Sequence, residues 1–255
     1  MPPGTFSRRQ LDLYLKCPRC FWLEKRHGVS QPSSYPLALN QAMDTLLKKE
    51  FDTYRQKGQL HPILQDHRAA REDGSLGDES LGPVEARLFG DLDRLQEWRN
   101  NRRGVRWADP LTGLTLYGAI DDLLEFPDGR ISVLDYKSSG ASAIHVYPSY
   151  RFQLEVYHFL LEQAGYPMTG WGYLAFFVAV KNDGFGGRLP FQGTLVRVET
   201  DSAHVADVFR EAAALAESSR MPPSGEECDL CRWFEEAGEA IKPVRVSPPD
   251  RTLPE

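Results

Sequence analysis

Hydrophobic residues recur at helical spacing towards both ends of the chain and change to strand-like runs in its middle. Ser7-Arg8-Arg9-Gln10 has the form of a capping box, a hydroxyl followed three residues later by an amide. Leu11, Tyr14 and Leu15 continue it as a short helical stripe that Pro18 stops. Leu39, Met43, Leu46, Leu47 and Phe51 predict a second helix from Leu37 to about Lys57. From Gly58 to Glu85 the chain is polar, with mixed charge between Arg68 and Glu79, which reads as a loop or a loosely packed helical insertion (58–103). A helix is expected from Val84 to Asn101.

The period then changes. Val105 to Ala108, Leu114 to Phe126, Ile131 to Tyr136, Gly170 to Val180 and Thr194 to Val198 are rich in β-branched and aromatic residues and read as strands. Pro127-Asp128-Gly129 is a hairpin turn between two of them. Tyr150 to Gln163 and Ser202 to Ser219 read as helices, and the proline-bearing tail 242–255 as unstructured. The order predicts an α/β (α+β) fold, a central mixed β-sheet flanked by helices, in one domain over residues 1–241.

At 255 residues the chain has room for one large domain or two small ones. With 41% hydrophobic and 26% charged residues it needs no disulfides to hold a core. The net charge of −6 argues against a histone-like binder, which needs excess Lys and Arg to neutralise phosphates, but leaves room for a local basic patch. No apolar run reaches the ~18 residues of a membrane span, and the first residues lack the apolar core of a signal peptide, so a cytoplasmic protein is expected.

The cysteines sharpen the picture. All four fall in two C-x-x-C pairs, Cys17/Cys20 and Cys228/Cys231, with none between. Each pair sets two thiolates on one turn, and two pairs complete a four-ligand metal or iron–sulfur site that clamps 7–28 against 222–236.

Asp121 and Asp135 are equidistant from Asp128 in the hairpin turn. If the loop has three residues they face each other across the hairpin, and Lys137 shares their face by strand alternation. A two-residue loop would slip the pairing and separate them. Two carboxylates and a lysine so placed can hold a divalent cation and steady a developing phosphate charge. The competing reading is an ordinary ion pair among the solvated strand residues Asp121, Asp122 and Lys137.

Gly118-Ala-Ile-Asp121, Asp135-Tyr-Lys137-Ser-Ser and Gln153-Leu-Glu-Val-Tyr157 resemble the PD-(D/E)XK nuclease superfamily, and within it the RecB-like branch that includes CRISPR-associated iron–sulfur exonucleases. Tyr14-Leu-Lys-Cys17-Pro-Arg is similar to the stretch that supplies a cluster cysteine there. The resemblance implies a restriction-endonuclease-like core and a catalytic set of Asp121, Asp135, Lys137, Gln153 and Tyr157. Asp121 and Asp135 would hold Mg2+ or Mn2+. It further implies a DNA nuclease, expected to be an exonuclease on single-stranded DNA or DNA ends in repair, recombination or defence. The alternative is a catalytically inactive nuclease-fold module for DNA binding or assembly.

Two departures bear on this reading. No histidine occurs between His27 and His61, where such members carry a metal-binding histidine, leaving Asn40, Asp44 and Glu50 as substitutes. The cysteines are split two and two rather than one and three. Cys17, Cys20, Cys228 and Cys231 suit the 4Fe–4S cluster the resemblance implies, and by count equally suit Zn2+. Arg8, Arg9, Lys16, Arg19, Lys25 and Arg26 interleave with Phe6, Tyr14, Phe21 and Trp22. That pattern fits single-strand binding by phosphate contact and base stacking, or a helical pair with its aromatics turned inward.

Overall fold

The computed structural model describes residues 4–32, 38–141, 143–181, 184 and 186–241. Leu37 and the tail 242–255 lie outside them. In chain order the elements are β1 (Thr5–Ser7), α1 (Arg8–Lys16), α2 (Pro18–His27), α3 (Ala38–Gln56), β2 (Arg68–Ala69), β3 (Arg87–Leu88), α4 (Leu92–Arg99), β4 (Val105–Ala108), β5 (Thr115–Gly118), β6 (Asp122–Glu125), β7 (Ile131–Ser139), α5 (Pro148–Gln163), β8 (Trp171–Ala179), β9 (Phe191–Glu199), α6 (Val205–Glu217) and α7 (Asp229–Ala240).

This is a mixed α/β fold with two sheets. The larger has the order β2-β9-β8-β7-β6-β3 and the smaller β1-β5-β4. β7 and β8 run parallel, and α5 makes the crossover between them. Alternation along the central strands divides the interior in two. Val133, Leu174, Phe176 and Val196 pack with α1, α5 and α6, whereas Leu134, Tyr136, Tyr173 and Leu195 pack with Leu47 and Phe51 of α3.

The capping box forms as expected: Gln10 N–H donates to Ser7 Oγ at 3.3 Å, and Ser7 N–H to Gln10 Oε1 at 3.0 Å. Helix α1 ends before Cys17, and Pro18 opens α2 at its first position, where the missing N–H has no consequence. Leu15, expected inside, is exposed, as are Leu39 and Leu46 of α3.

Two expected elements divide. Val84 to Asn101 contains only the helix α4, because Val84, Ala86 and Leu88 alternate inward with exposed Glu85 and Arg87, the period of a strand. The stretch Leu114 to Phe126 becomes β5 in the small sheet and β6 in the large one. The chain changes sheets over residues 119–121, so Asp121 stands where the two meet. The 58–103 segment supplies both edge strands of the large sheet, β2 beside β9 and β3 beside β6.

The interleaved aromatics near the N-terminus turn inward. Phe6, Phe21 and Trp22 are buried, and Phe6 meets Phe209 edge-on at 5.4 Å. They are therefore not available for base stacking.

Candidate active site and cysteine centre

The β6–β7 turn decides the geometry of the acidic residues. Phe126 N–H donates to Arg130 O and Gly129 N–H to Phe126 O, both at 2.9 Å, closing a three-residue loop. Gly129 sits at φ +84°, the left-handed position that such a loop assigns to glycine. The ladder then pairs Asp122 with Leu134 and Leu123 with Val133, a register whose next pair is Asp121 with Asp135. Asp121 Oδ2 accepts from Tyr136 N–H at 3.2 Å, which ties it to the neighbouring strand.

Asp135 is 1% exposed. Its Oδ1 accepts from Gln153 Nε2 at 2.8 Å, and its Oδ2 lies 2.6 Å from Lys137 Nζ without hydrogen-bond geometry. Lys137 Nζ donates to Gln153 Oε1 at 2.8 Å, and Gln153 Nε2 also reaches Tyr157 Oη at 3.2 Å. Gln153 thus grips both the acid and the lysine of Asp135-Tyr136-Lys137. Gly118 makes room for the last member: a Cβ there would lie 2.6 Å from Cε1 of the Tyr157 ring. The structure brings Asp121, Asp135, Lys137, Gln153 and Tyr157 into one cluster.

Burial pushes the Asp135 carboxyl up, Lys137 pulls it down and the Asp121 charge pushes it up again, leaving it at about 6. Burial raises the Tyr157 phenol to about 12. A divalent cation suits such a place. It would relieve repulsion between two carboxylates and engage Asp135 Oδ2, a buried oxygen whose charged neighbour is the Lys137 ammonium at 2.6 Å.

No third acid or histidine among the described residues joins the pair in a metal-ligating group. Among the described residues, the only cluster of three or more possible metal-ligating His, Cys, Asp or Glu side chains is the cysteine group. Of the three substitutes, Asn40 is exposed and Glu50 pairs with His61 at 3.1 Å. Asp44 reaches the site only through Lys48, whose Nζ lies 2.8 Å from Asp44 Oδ1 and 3.0 Å from Asp121 Oδ1. Burial presses the Lys48 ammonium down, but Asp121 and Asp44 outweigh it and hold it above the ordinary lysine range.

The four cysteines meet at the opposite ends of the chain. Cys17 caps α2 and Cys228 caps α7, each with its partner on the following first turn. All four are buried, and their sulfurs lie within 4.8 Å of one another. Cys17 Sγ to Cys231 Sγ is 3.7 Å, Cys20 to Cys228 3.6 Å and Cys20 to Cys231 3.5 Å. Burial pushes the Cys17 thiol up, but N–H donors from Gly225 and Cys20 overcome it and bring the thiol to about 7. The Gly225 N–H lies 3.3 Å from Cys17 Sγ. Only glycine fits there, since a Cβ would come within 2.1 Å of Lys16 O. Arg19 stands close enough for its charge to be felt by Cys17 and Cys231. Four converging sulfurs with a nearby cation and an N–H donor suit a thiolate-bound metal centre.

The family model of the PD-(D/E)XK nuclease superfamily matches residues 5–235. The chain belongs to this superfamily. No curated protein matches the sequence. Among solved structures, one titled "Crystal structure of SSO0001" is similar at 14% identity with a TM-score of 0.40, covering 97% of this chain and 89% of that one. A likeness at that level bears on neither mechanism nor substrate. Superfamily membership supports nuclease-type hydrolysis and implies nucleic-acid binding, and PD-(D/E)XK nucleases typically use divalent metals.

Behind the acidic cluster this PD-(D/E)XK chain carries a buried charge network that its sequence did not announce. Asp122 is fully buried, not solvated, and accepts from Arg55, from Arg99 Nη2 at 3.2 Å and from the Tyr136 hydroxyl. Arg99 also pairs with Asp52 at 2.8 Å, and its Nε donates to the backbone carbonyl of Asp121 at 2.7 Å. Charges buried in this way persist only when fully partnered. The network pins α3, α4, β6 and β7 together and fixes the Asp121 peptide from behind. The one signal in the sequence is the doublet Asp121-Asp122, whose neighbours on a strand point to opposite faces. Lys48 left a fainter trace, its i,i+4 spacing from Asp44.

Proposed function

We propose that this chain is a divalent-metal-dependent DNA nuclease of the RecB-like, CRISPR-associated exonuclease type, acting on single-stranded DNA or DNA ends in repair, recombination or defence. One observation carries the reading: Asp121, next in the hairpin register opposite Asp135, accepts from the Tyr136 N–H, while Gln153 holds Lys137 in an ion pair with the buried carboxylate of Asp135. Asp121 and Asp135 would hold Mg2+ or Mn2+, which when bound supplies Lewis-acid polarisation of the phosphate and a water ionisable near neutral pH.

The rest is the work of the chain's own groups. Lys137, fixed at Nζ by Gln153, offers ammonium protons to a phosphate oxygen as negative charge accumulates. Gln153 sets the separation of acid and lysine. Tyr157, buried and held protonated by its raised pKa, supports the Gln153 amide from below.

Lys48 favours a second reading. An ammonium bonded to Asp121 Oδ1 neutralises that acid, as a catalytically inactive DNA-binding module could do permanently. Incubation with end-labelled single- and double-stranded DNA, in Mg2+ or Mn2+ and in chelator, separates the two. Mononucleotide products would assign an exonuclease, internal fragments an endonuclease, and intact DNA under every condition would favour the inactive module.

For the cysteine centre, the sulfur spacing supports a single tetrahedral ion such as Zn2+. Metal–sulfur bonds of ~2.3 Å set ligand sulfurs ~3.8 Å apart, and the four sulfurs here lie within 4.8 Å of one another, three of the pairs at 3.5–3.7 Å. A 4Fe–4S core would have to seat eight atoms between the same thiolates. No helix among the described residues is long and apolar enough to cross a membrane, and a cytoplasmic site of action accords with reduced, metal-bound cysteines.

A further inference from the structure

The chain leading into α5 presents a run of aromatic rings that ends at the lysine of the acidic cluster. Lys137 Nζ stands over the Tyr150 ring, 4.5 Å from its centroid. The Tyr147 ring meets Tyr150 edge-on with centroids 5.4 Å apart, and His145 lies 4.8 Å from Tyr147. Tyr147 is 53% exposed, whereas Tyr150 is partly covered and rests on Phe176. Other large side chains are as exposed, Trp233 and Phe234 among them, but Tyr147 is set apart by the chain of ring contacts that leads from it to Lys137.

Its backbone is fixed. Val146 is buried and donates its N–H to Gly74 O at 2.8 Å, and Pro148 starts α5 one residue after Tyr147. Gly74, at φ +81°, approaches so closely that a Cβ would stand 2.4 Å from Val146 O, so the 71–75 turn is wedged against the segment. Tyr147 is therefore displayed from a rigid support, which lowers the entropy lost when something stacks on it.

Arg8, at the start of α1, makes no hydrogen bond or ion pair among the described residues, yet its charge is felt at both Asp135 and Tyr157. Arg8 and Lys137 can meet phosphates where Tyr147 can meet a base. Inside a duplex each base face is covered by its neighbours and only an end leaves one open, so an unpaired strand is the form that can lay a base on an exposed ring anywhere along its length.

We infer that Tyr147, backed by Tyr150, is a base-stacking platform that receives single-stranded nucleic acid at the entrance to the acidic site. The inference rests on the reading of that site as a nuclease centre and assigns it an unpaired strand as substrate. Binding is measured by fluorescence anisotropy in Ca2+, without Mg2+ or Mn2+, using labelled oligo-dT, oligo-rU and a blunt duplex with wild type, Tyr147→Ala and Tyr147→Trp. Tyr147→Ala should weaken single-strand binding about tenfold, the scale of losing one stacked base. Tyr147→Trp should restore it, and duplex binding should not change. A loss with both oligomers assigns the platform to single strands in general, and a loss with one names the sugar. Unchanged single-strand affinity in Tyr147→Ala, or equal weakening on the duplex, would overturn the inference. Cleavage is scored separately: a Tyr147 effect on binding by a protein that never cleaves removes only the nuclease reading, and cleavage without a Tyr147 effect removes only the platform.

Discussion

Lys48 Nζ lies 3.0 Å from Asp121 Oδ1, so an ammonium from α3 already occupies one face of a carboxylate placed to hold a metal. Replacing it with a neutral chain of similar length, Lys48→Met, frees that oxygen and removes a positive charge beside both acids. Mn2+ affinity measured by calorimetry should then rise about fivefold, the order of one partly buried ion pair worth ~1 kcal/mol. Weaker Mn2+ binding by the variant would mean that Lys48 shapes the metal site instead of competing for it.

Asp135 offers a test in the metal-free protein. Burial, offset in part by Lys137, holds its carboxyl at about 6 against an ordinary 3.8. At pH 8 the unfolded chain ionises this group more readily than the folded one, so its ionisation opposes folding. Below the ordinary carboxylate range both states are protonated and the effect is gone. Asp135→Asn should therefore keep or raise the Tm at pH 8, by ~2–4 °C for each kcal/mol relieved. That advantage should shrink as the pH falls through 6 towards 4. A lower Tm for the variant at pH 8 would show that the ion pair with Lys137 outweighs the burial of the charge.

The cysteine centre closes nearly the whole chain into one loop, from Cys17 to Cys231. Loop closure of that length restricts the unfolded chain by several kcal/mol in the chain-entropy account, and metal–thiolate bonds add to it. Cys228→Ser should depress Tm and soluble yield far more than Asp135→Asn. Metal analysis of protein purified without oxygen should return about one zinc per chain. Iron with acid-labile sulfide would instead establish the cluster, and four freely reacting thiols would show that no metal joins the pairs.

His158 of α5 is buried, with Nδ1 2.8 Å from Thr200 Oγ1 and Nε2 without a partner. Burial lowers its pKa from 6.5 to about 4. Between those values the unfolded chain takes up a proton that the folded chain refuses, so stability falls as the pH drops from 6.5 to 4, by roughly 3 kcal/mol in full. Denaturant titrations of wild type and His158→Gln across this range isolate the contribution. The wild-type curve should fall more steeply, and parallel curves would refute a neutral buried imidazole.

What could be read from the sequence follows from the range of the interactions involved. The turn Pro127-Asp128-Gly129 carries its own geometry, so the facing of Asp121 and Asp135 could be counted out from it, given a three-residue loop. The C-x-x-C pairs announced a shared centre because cysteines are scarce and strictly paired. Gln153 and Tyr157 lie one helical turn apart and needed only α5 to pack on β7. Lys48, Arg55 and Arg99 reach the site across long stretches of chain, and no local pattern records which face of α3 or α4 will turn towards β6. The edge strand β2 has two residues, too few to show a period. The change of sheet over residues 119–121 interrupts a run that is apolar on both sides, so hydrophobicity alone could not mark it.

The most direct test of the account is the rate at which Asp135→Asn, compared with wild type, cleaves end-labelled DNA in Mn2+. The residue is central to the acidic cluster, and the substitution preserves its size and its hydrogen bond to Gln153. Loss of one anionic ligand should reduce the rate by ~100-fold or more, on the scale of removing a main electrostatic contribution to catalysis, while the variant still binds DNA. Cleavage by Asp135→Asn at the wild-type rate would contradict the assignment of the active site to these residues.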